Sequence, residues 1–398
     1  MTKEYAKKDP YKIIDEWGVS ESDYQVIDKR AIEEITLGAN ILATGGGGDP
    51  EIGLKWAKNV LDEDKDIVMV QPEVIPDKIQ LACAATLGAP IVLTEKPPAK
   101  ENTKKIFYEM ERYLGRPIEA TFPIECGGVN SPIGYAVGGE LGLPVIDVDG
   151  MNRAFPELQM TTFATQGVPA TPVVTIDDHQ HCCVVDMGEK NKVAEDIVRN
   201  IAMKYGGISW IGCYPMTGKE LKETGVLHSQ SLAWNLGKTV MEARRKHDDP
   251  IESILEFLKS DRGIPGAHIF TGKVMDIDRD FGSETTHGFS MGRVTLEGIE
   301  EYEGQDAYLE FQNEWLVAKI DGEIKCLPPD MIALLDPETG EPVRTDLIRY
   351  GYRVKMIAMP AHKNMRTPEG IETFGPRYFG FDVDYTPVEK LLGIDRDE

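Results

Sequence analysis

"ATGGGGDP", Ala43 to Pro50, sets four glycines directly before an Asp-Pro pair, and what flanks those glycines decides the fold. Upstream, Ile32, Ile35, Ala39 and Leu42 recur at spacings of three and four, the period of a helix with one buried face. Downstream, Asp49 stands where an N-cap belongs and Pro50 at the first helical position, with Ile52, Trp56 and Val60 as the next apolar stripe. The segment therefore reads as helix, glycine turn, helix. A Walker loop and a dinucleotide fingerprint both need a strand before the glycines, and a Walker loop also needs Lys-Ser/Thr after them. No nucleotide motif is recognised. Two readings stay open: a joint where bare backbone packs closely, or a ligand-facing loop in which the N–H groups of Gly46, Gly47 and Gly48 bind a carboxylate or carbonyl oxygen.

Working outward, "DIVMV" (66–70), "IQLACAA" (79–85) and "PIVLT" (90–94) read as short buried strands, followed by a charged helix over 100–114. The stretch 118–149 repeats the plan: a strand near 118–123, a Gly-Gly turn, a helix capped around Asn130 or Ser131 with Pro132 at its start, and a strand over 145–148. Such alternation predicts an N-terminal layered α/β domain with a largely parallel sheet. Helical stripes occupy 194–260, and from Gly266 short alternating strands are broken by "DIDRDFGSETTHG", "DGEI" and "DPETGEP". The expectation is an N-terminal domain over 1–170 and a β-rich (α+β) C-terminal domain over 171–398, packed together without a linker.

In an open α/β sheet, ligands sit beyond the carboxyl ends of the strands. That places Glu125, Cys126, Gly127, Gly128 and Asn130 of "PIECGGVNS" beside Asp147, Asp149 and Arg153 of "DVDGMNR". Glu125, Cys126, Asp147 and Asp149 are the catalytic candidates. Asp147 and Asp149, two apart on a strand, can hold a divalent cation such as zinc or act as acid and base; the alternative is pairing with Arg153 and capping. "FQNEWLVAKIDGE" reads as one strand carrying a polar row, Gln312, Asn313 and Glu314, whose burial demands either an interdomain network or a place in the pocket wall. Asn313 and Glu314 join the substrate-binding candidates. "DDHQHCCVVD" resembles a metal cluster at first, but its flanks read as hairpin arms with Asp-Asp-His-Gln as the turn. Arg349 and Arg377 either read a substrate carboxylate or brace the acidic chain.

With 43 basic against 67 acidic residues the formal charge is −24, which argues against nucleic acid and anionic membranes as partners. Six cysteines without a C-x-x-C pair indicate neither a disulfide framework nor a zinc ribbon. "MTKEYAKKDPYKIIDEWG" contains no apolar segment of secretory type, so a cytoplasmic homo-oligomer is expected.

The phrases "ILATGGGGDPEIG", "PIECGGVNSP", "LPVIDVDGMNRAFPELQMTTF", "YPMTGKEL", "FQNEWLVA", "TDLIRYGYRV" and "GPRYFGFDVDYTPVE" together resemble the S-methyl thiohydantoin desulfurase domain family, also described as hydantoinase/oxoprolinase-associated. The resemblance implies an N-terminal α/β domain, a β-rich C-terminal domain, and a hydrolase that replaces sulfur by oxygen on a five-membered cyclic thioimide. The rival readings are an ATP-dependent cyclic amide hydrolase or its subunit, and a non-catalytic binding protein.

Overall fold

The computed structural model describes residues 7–96, 100–280 and 289–394. Both helices around the glycines form, Lys29–Leu42 and Pro50–Asp62, and the Asp49 carboxylate caps the second by accepting from the Glu51 N–H. The charged helix Lys100–Leu114 and the helix Asn130–Leu141 also lie where the sequence puts them. Instead of a strand over 90–94 there is a short helix, Pro90–Leu93, which starts on the residue whose missing N–H suits a first helical turn.

The N-terminal sheet is parallel through its middle and antiparallel at its flanks. Val68–Val70 pairs parallel with Val145–Ile146, and Ala120 and Thr121 bridge in parallel to Leu81 and Val145. On one side of Gln80–Gly88 the sheet continues antiparallel through Ile208–Thr217, Val173–Ile176 and Cys182–Val185. On the other, Tyr24–Val26 pairs antiparallel with Val68–Val70. This sheet draws strands from either side of residue 170. Its two faces feed two cores: Val68, Val70, Leu81, Cys83 and Ala85 enter one, and Met69, Ala82 and Ala84 the other, the period of two that a sheet covered on both faces requires.

The 194–260 region divides. Helix Asn191–Lys204 covers one face of the N-terminal sheet through Val198 and Ala202, whereas Ser229–Lys246 and Pro250–Arg262 join Leu37 and Ile41 in a core shared with the strands Met331–Leu335 and Arg353–Met359. The Lys29–Leu42 and Ser229–Lys246 helices cross closely at Gly38 and Gly237. A Cβ at Gly38 would lie 1.8 Å from the Ala233 carbonyl oxygen, and one at Gly237 1.8 Å from that of Glu34. In the chain between helices Asn191–Lys204 and Ser229–Lys246 lies the ten-residue strand Ile208–Thr217, unexpected from a stretch read as helical. It carries Pro215, and its register with Gln80–Gly88 shifts there, a bulge that accommodates the missing N–H.

The C-terminal half is a seven-stranded antiparallel sheet in the order Glu323–Cys326, Glu314–Ile320, Asp306–Gln312, Met291–Gly298, Ala267–Asp280, Arg353–Met359, Met331–Leu335. The break expected at "DIDRDFGSETTHG" falls partly on residues 281–288, outside the described residues. "FQNEW" is not one strand but a hairpin: Gln312 pairs with Glu314, and Asn313 turns between them at φ 58°. No helix among the described residues is long and apolar enough to cross a membrane.

Candidate functional site

The hairpin tip meets the glycine turn. Trp315 donates its N–H to the Thr44 carbonyl (2.7 Å), Thr345 donates to that of Gly45 (3.0 Å), and Arg344 pairs with Asp49 at 2.9 Å. The second glycine turn closes the joint from the other side, with the Val129 N–H donating to the Gly47 carbonyl at 2.8 Å. A Cβ at Gly128 would sit 2.0 Å from that same oxygen, and one at Gly46 would sit 2.0 Å from Glu314 Oε1. The four glycines are therefore a joint between the two halves of the chain, as the first reading has it.

The joint does not close completely. A cleft of about 680 Å³, open mouth included, is lined by Gly47 and Gly48, Glu125 and Asn130, and Asn313 and Glu314. Residues about 190 positions apart in the chain thus share one wall. Thr86, Met151, Phe155, Glu157 and Arg199 also face it, so the loop after the Asp149 turn supplies the floor.

Glu125 is 3% exposed and its Oε1 accepts from Asn130 Nδ2 at 2.7 Å. The Asn130 amide is oriented by Thr86, whose N–H (2.9 Å) and hydroxyl (3.2 Å) donate to Oδ1, leaving Nδ2 for the carboxyl. Burial pushes the Glu125 carboxyl up to about 8, against the pull of Asn130 and the Phe155 backbone, and the charge of Asp149 adds a little. Glu314, 1% exposed, is likewise held well above the carboxylate range, first by burial and then by Glu125, while Arg153 and the Gly47 backbone pull it down. The charge of Glu125 thus bears on Glu314, and the two buried carboxyls are coupled.

Arg153 is fully buried and does not line the cleft. Its guanidinium donates to the carbonyls of Ala154, Pro329 and Asp330 and to the Thr44 hydroxyl, and lies 4.1 Å from the Phe155 ring centre. Burial lowers it to about 10, with Glu314 and Asp330 resisting. It is a cation without a directly bonded carboxylate, placed behind Glu314. Arg199, which the sequence reading did not single out, enters from helix Asn191–Lys204, bonded to Glu195 (2.5 Å) and the Pro156 carbonyl (3.0 Å). The Glu195/Arg199 spacing of four was visible in the sequence; that the pair faces a cleft was not.

Three catalytic candidates lie elsewhere. Cys126 does not line the cleft; its Sγ donates to the Ser229 carbonyl and accepts from Gln230 Nε2, and burial, aided by Asp149, holds the thiol well above its ordinary value. That opposes a thiolate nucleophile. Asp147 Oδ1 accepts the N–H groups of Gln230 and Ser231 (2.9 Å each) at the start of helix Ser229–Lys246, and Oδ2 lies 3.5 Å from His228 Nδ1. Asp149 Oδ2 gathers the N–H groups of Cys126 (2.7 Å), Met151 (3.2 Å) and Asn152 (2.7 Å), and burial, against these bonds and Ser229, raises its carboxyl to about 7. The two carboxylates point to separate partners because residues 145–146 and 148–149 belong to different sheets. Backbone donors fill the role a cation was expected to play. Among the described residues no three His, Cys, Asp or Glu side chains gather to hold a metal, and this donor set does not fit one.

Gly46, Gly127 and Gly128 shape the joint without lining the cleft. The "DDHQHCC" stretch is a hairpin turn, its Asp177 carboxylate accepting from the His179 and His181 N–H groups. Arg377 is exposed and paired with Asp382 and Asp384, and Arg349 is exposed, so both lie away from the cleft.

The Glu125 displacement predicts a pH effect on stability. Its folded value, about 8, stands above the ordinary 4.5, so the stabilising contribution is whole below the unfolded value and is lost as pH rises through about 8. Urea midpoints measured from about pH 5 to about pH 9 should fall, and Glu125→Gln should flatten part of that fall. An unchanged slope in the variant would show that Glu125 does not bury a proton.

Models of two domain families match the chain: the S-Me-THD-like N-terminal domain over residues 30–187 and the S-Me-THD-like C-terminal domain over residues 189–388. Among curated proteins nothing matches. A crystal structure of a protein from Chromobacterium violaceum is similar over 92% of this chain and 100% of its own, with a TM-score of 0.75 and 21% identity, a likeness of fold.

Proposed function

We propose, from the premise that the chain belongs to the S-Me-THD-like family, that it hydrolyses a five-membered cyclic thioimide, replacing the ring-carbon sulfur by oxygen. The observation that carries this reading is the pair of buried carboxyls, Glu125 and Glu314, on one wall of a cleft beside bare glycine backbone.

Exchange of sulfur for oxygen at such a carbon needs a base to activate water, an acid for the leaving side, and donors for the anionic intermediate. Burial of both carboxyls, with the charge of Glu125 bearing on Glu314, favours one proton on the pair, which provides one base and one acid at once. The ionised carboxylate takes a proton from water as the new C–O bond forms. The protonated partner donates to the ring nitrogen, whose C=N electron pair it receives. Collapse of the tetrahedral carbon breaks the C–S bond and forms C=O: its hydroxyl proton restores the acid that protonated the ring nitrogen, and the proton held by the first carboxyl leaves with the sulfur as thiol. Both protons of water are then accounted for, one on nitrogen and one on sulfur. Asn130 positions Glu125, Arg153 and the Gly47 backbone favour charge on Glu314, and the Gly48 backbone offers its N–H to the intermediate.

The test is turnover of S-methyl thiohydantoins in heavy-oxygen water. Methanethiol should appear in step with hydantoin carrying the heavy oxygen at the former sulfur position. Absence of thiol, or thiol without label in the ring, would overturn hydrolysis.

A further inference from the structure

A second cleft, sharing no lining residue with the first, opens between the start of helix Ser229–Lys246, the end of helix Pro250–Arg262 and the loop after strand Arg353–Met359. Its volume, open mouth included, is about 1180 Å³, against about 680 Å³ for the first. One wall is apolar, built by Val226, Leu227, Leu232 and Ile264, and the other bears cations.

Those cations are not equally engaged. Arg366 is bound to Asp330 and Glu389, and His228 to Glu73 (2.8 Å) with Asp147 behind it. Arg262, resting 5.8 Å from the Phe257 ring centre, and Lys363 have no ion-pair partner among the described residues. On a chain of charge −24, two adjacent-walled cations left open while others are neutralised mark a place where an anion gains most.

The backbone points to the same cleft. Asn152 and His228 both line it, and both are non-glycine residues at positive φ, 55° and 61°. Each is held there by a carboxyl-bearing residue: Asn152 N–H donates to Asp149 Oδ2 at 2.7 Å, and His228 N–H to the Asp147 carbonyl at 2.9 Å. Left-handed residues that the surroundings over-determine concentrate at sites of function.

We infer that this second cleft binds a small monocarboxylate with an apolar body, the carboxylate between Arg262 and Lys363 and the body along Val226, Leu227, Leu232 and Ile264. A monoanion fits better than a phosphate dianion, because Glu73 and Glu389 already stand beside the neighbouring cations. The apolar wall gives free energy only to a ligand with a hydrocarbon part. This cleft shares no lining residue with the one assigned to the reaction.

Calorimetry on the full chain with hexanoate, hexanamide and inorganic phosphate tests it. Hexanoate should bind saturably, one per chain, with hexanamide and phosphate weaker by about tenfold or more. The double variant Arg262→Met/Lys363→Met should lose about tenfold in hexanoate affinity, and Leu232→Ala should weaken hexanoate without creating phosphate binding. Both cations are exposed, so the double variant should melt with the wild type; if it does not, the single variant Lys363→Met gives the same reading at reduced size. Equal binding of hexanamide, phosphate binding as tight as hexanoate, undiminished affinity in the charge variants, or no hexanoate binding would each overturn the inference.

Discussion

Glu125→Gln is expected to lower thiol release by about 10²- to 10⁴-fold while leaving the fold intact. The substitution keeps the shape of the side chain, and the Asn130 Nδ2 group, aimed by Thr86, can still donate to an oxygen at the Glu125 position. What disappears is the exchangeable proton. Because the carboxyls act together, Glu314→Gln should cost a similar factor, and the double variant little more than either single one. Wild-type activity against pH should rise and fall around the two titrations of the pair, whereas each single variant should lose one limb. Additive losses in the double variant would assign the residues independent roles. Full activity in Glu125→Gln would remove the carboxyl pair from the mechanism.

The parts of this site that the sequence disclosed are those where local chemistry dictates local structure. Asp49-Pro50 announces a helix start by a cap and a missing N–H, and the structure has the helix beginning there. Glu125, Asn130 and the glycines could be named because an acid, an amide and bare backbone crowd into short phrases. Less legible was whatever a single residue redirects. Asn313, at positive φ, folds an apparent strand into a hairpin and so delivers Glu314 to the cleft. The strand Ile208–Thr217 hid within a stretch read as helical, and it tolerates Pro215 only through a bulge. Asp147 and Asp149 look like a pair on one face, yet the chain changes sheets between them, and each carboxylate is met by backbone N–H groups of a different element. Arg199 was invisible because helical periodicity marks a buried face but not what that face encloses.

Two glycine substitutions should separate the joint from the chemistry. At Gly128 the chain has φ 46° and an added Cβ would lie 2.0 Å from the Gly47 carbonyl oxygen and 2.1 Å from its carbon, backbone atoms that cannot turn aside. Gly128→Ala therefore combines a left-handed alanine, about 1–2 kcal/mol, with an overpacked contact of about 1–3 kcal/mol, and should destabilise the protein by about 3 kcal/mol. At Gly46 the obstacle is different: Glu314 Oε1 at 2.0 Å and Cδ at 2.4 Å, the end of a side chain. Gly46→Ala should displace that carboxyl, so turnover should fall by about 10²-fold or more while stability falls less than in Gly128→Ala. Urea unfolding and thiol release measured on both variants check this ordering. If Gly46→Ala kept wild-type turnover, the position of the Glu314 carboxyl would not matter to the reaction. If Gly128→Ala unfolded at the wild-type midpoint, the two glycine turns would not press together as the distances require. The expected result gives the glycine run two tasks: Gly47 against Gly128 locks the two glycine turns of the N-terminal half together, and the smallness of Gly46 leaves room for the acid that the cleft uses.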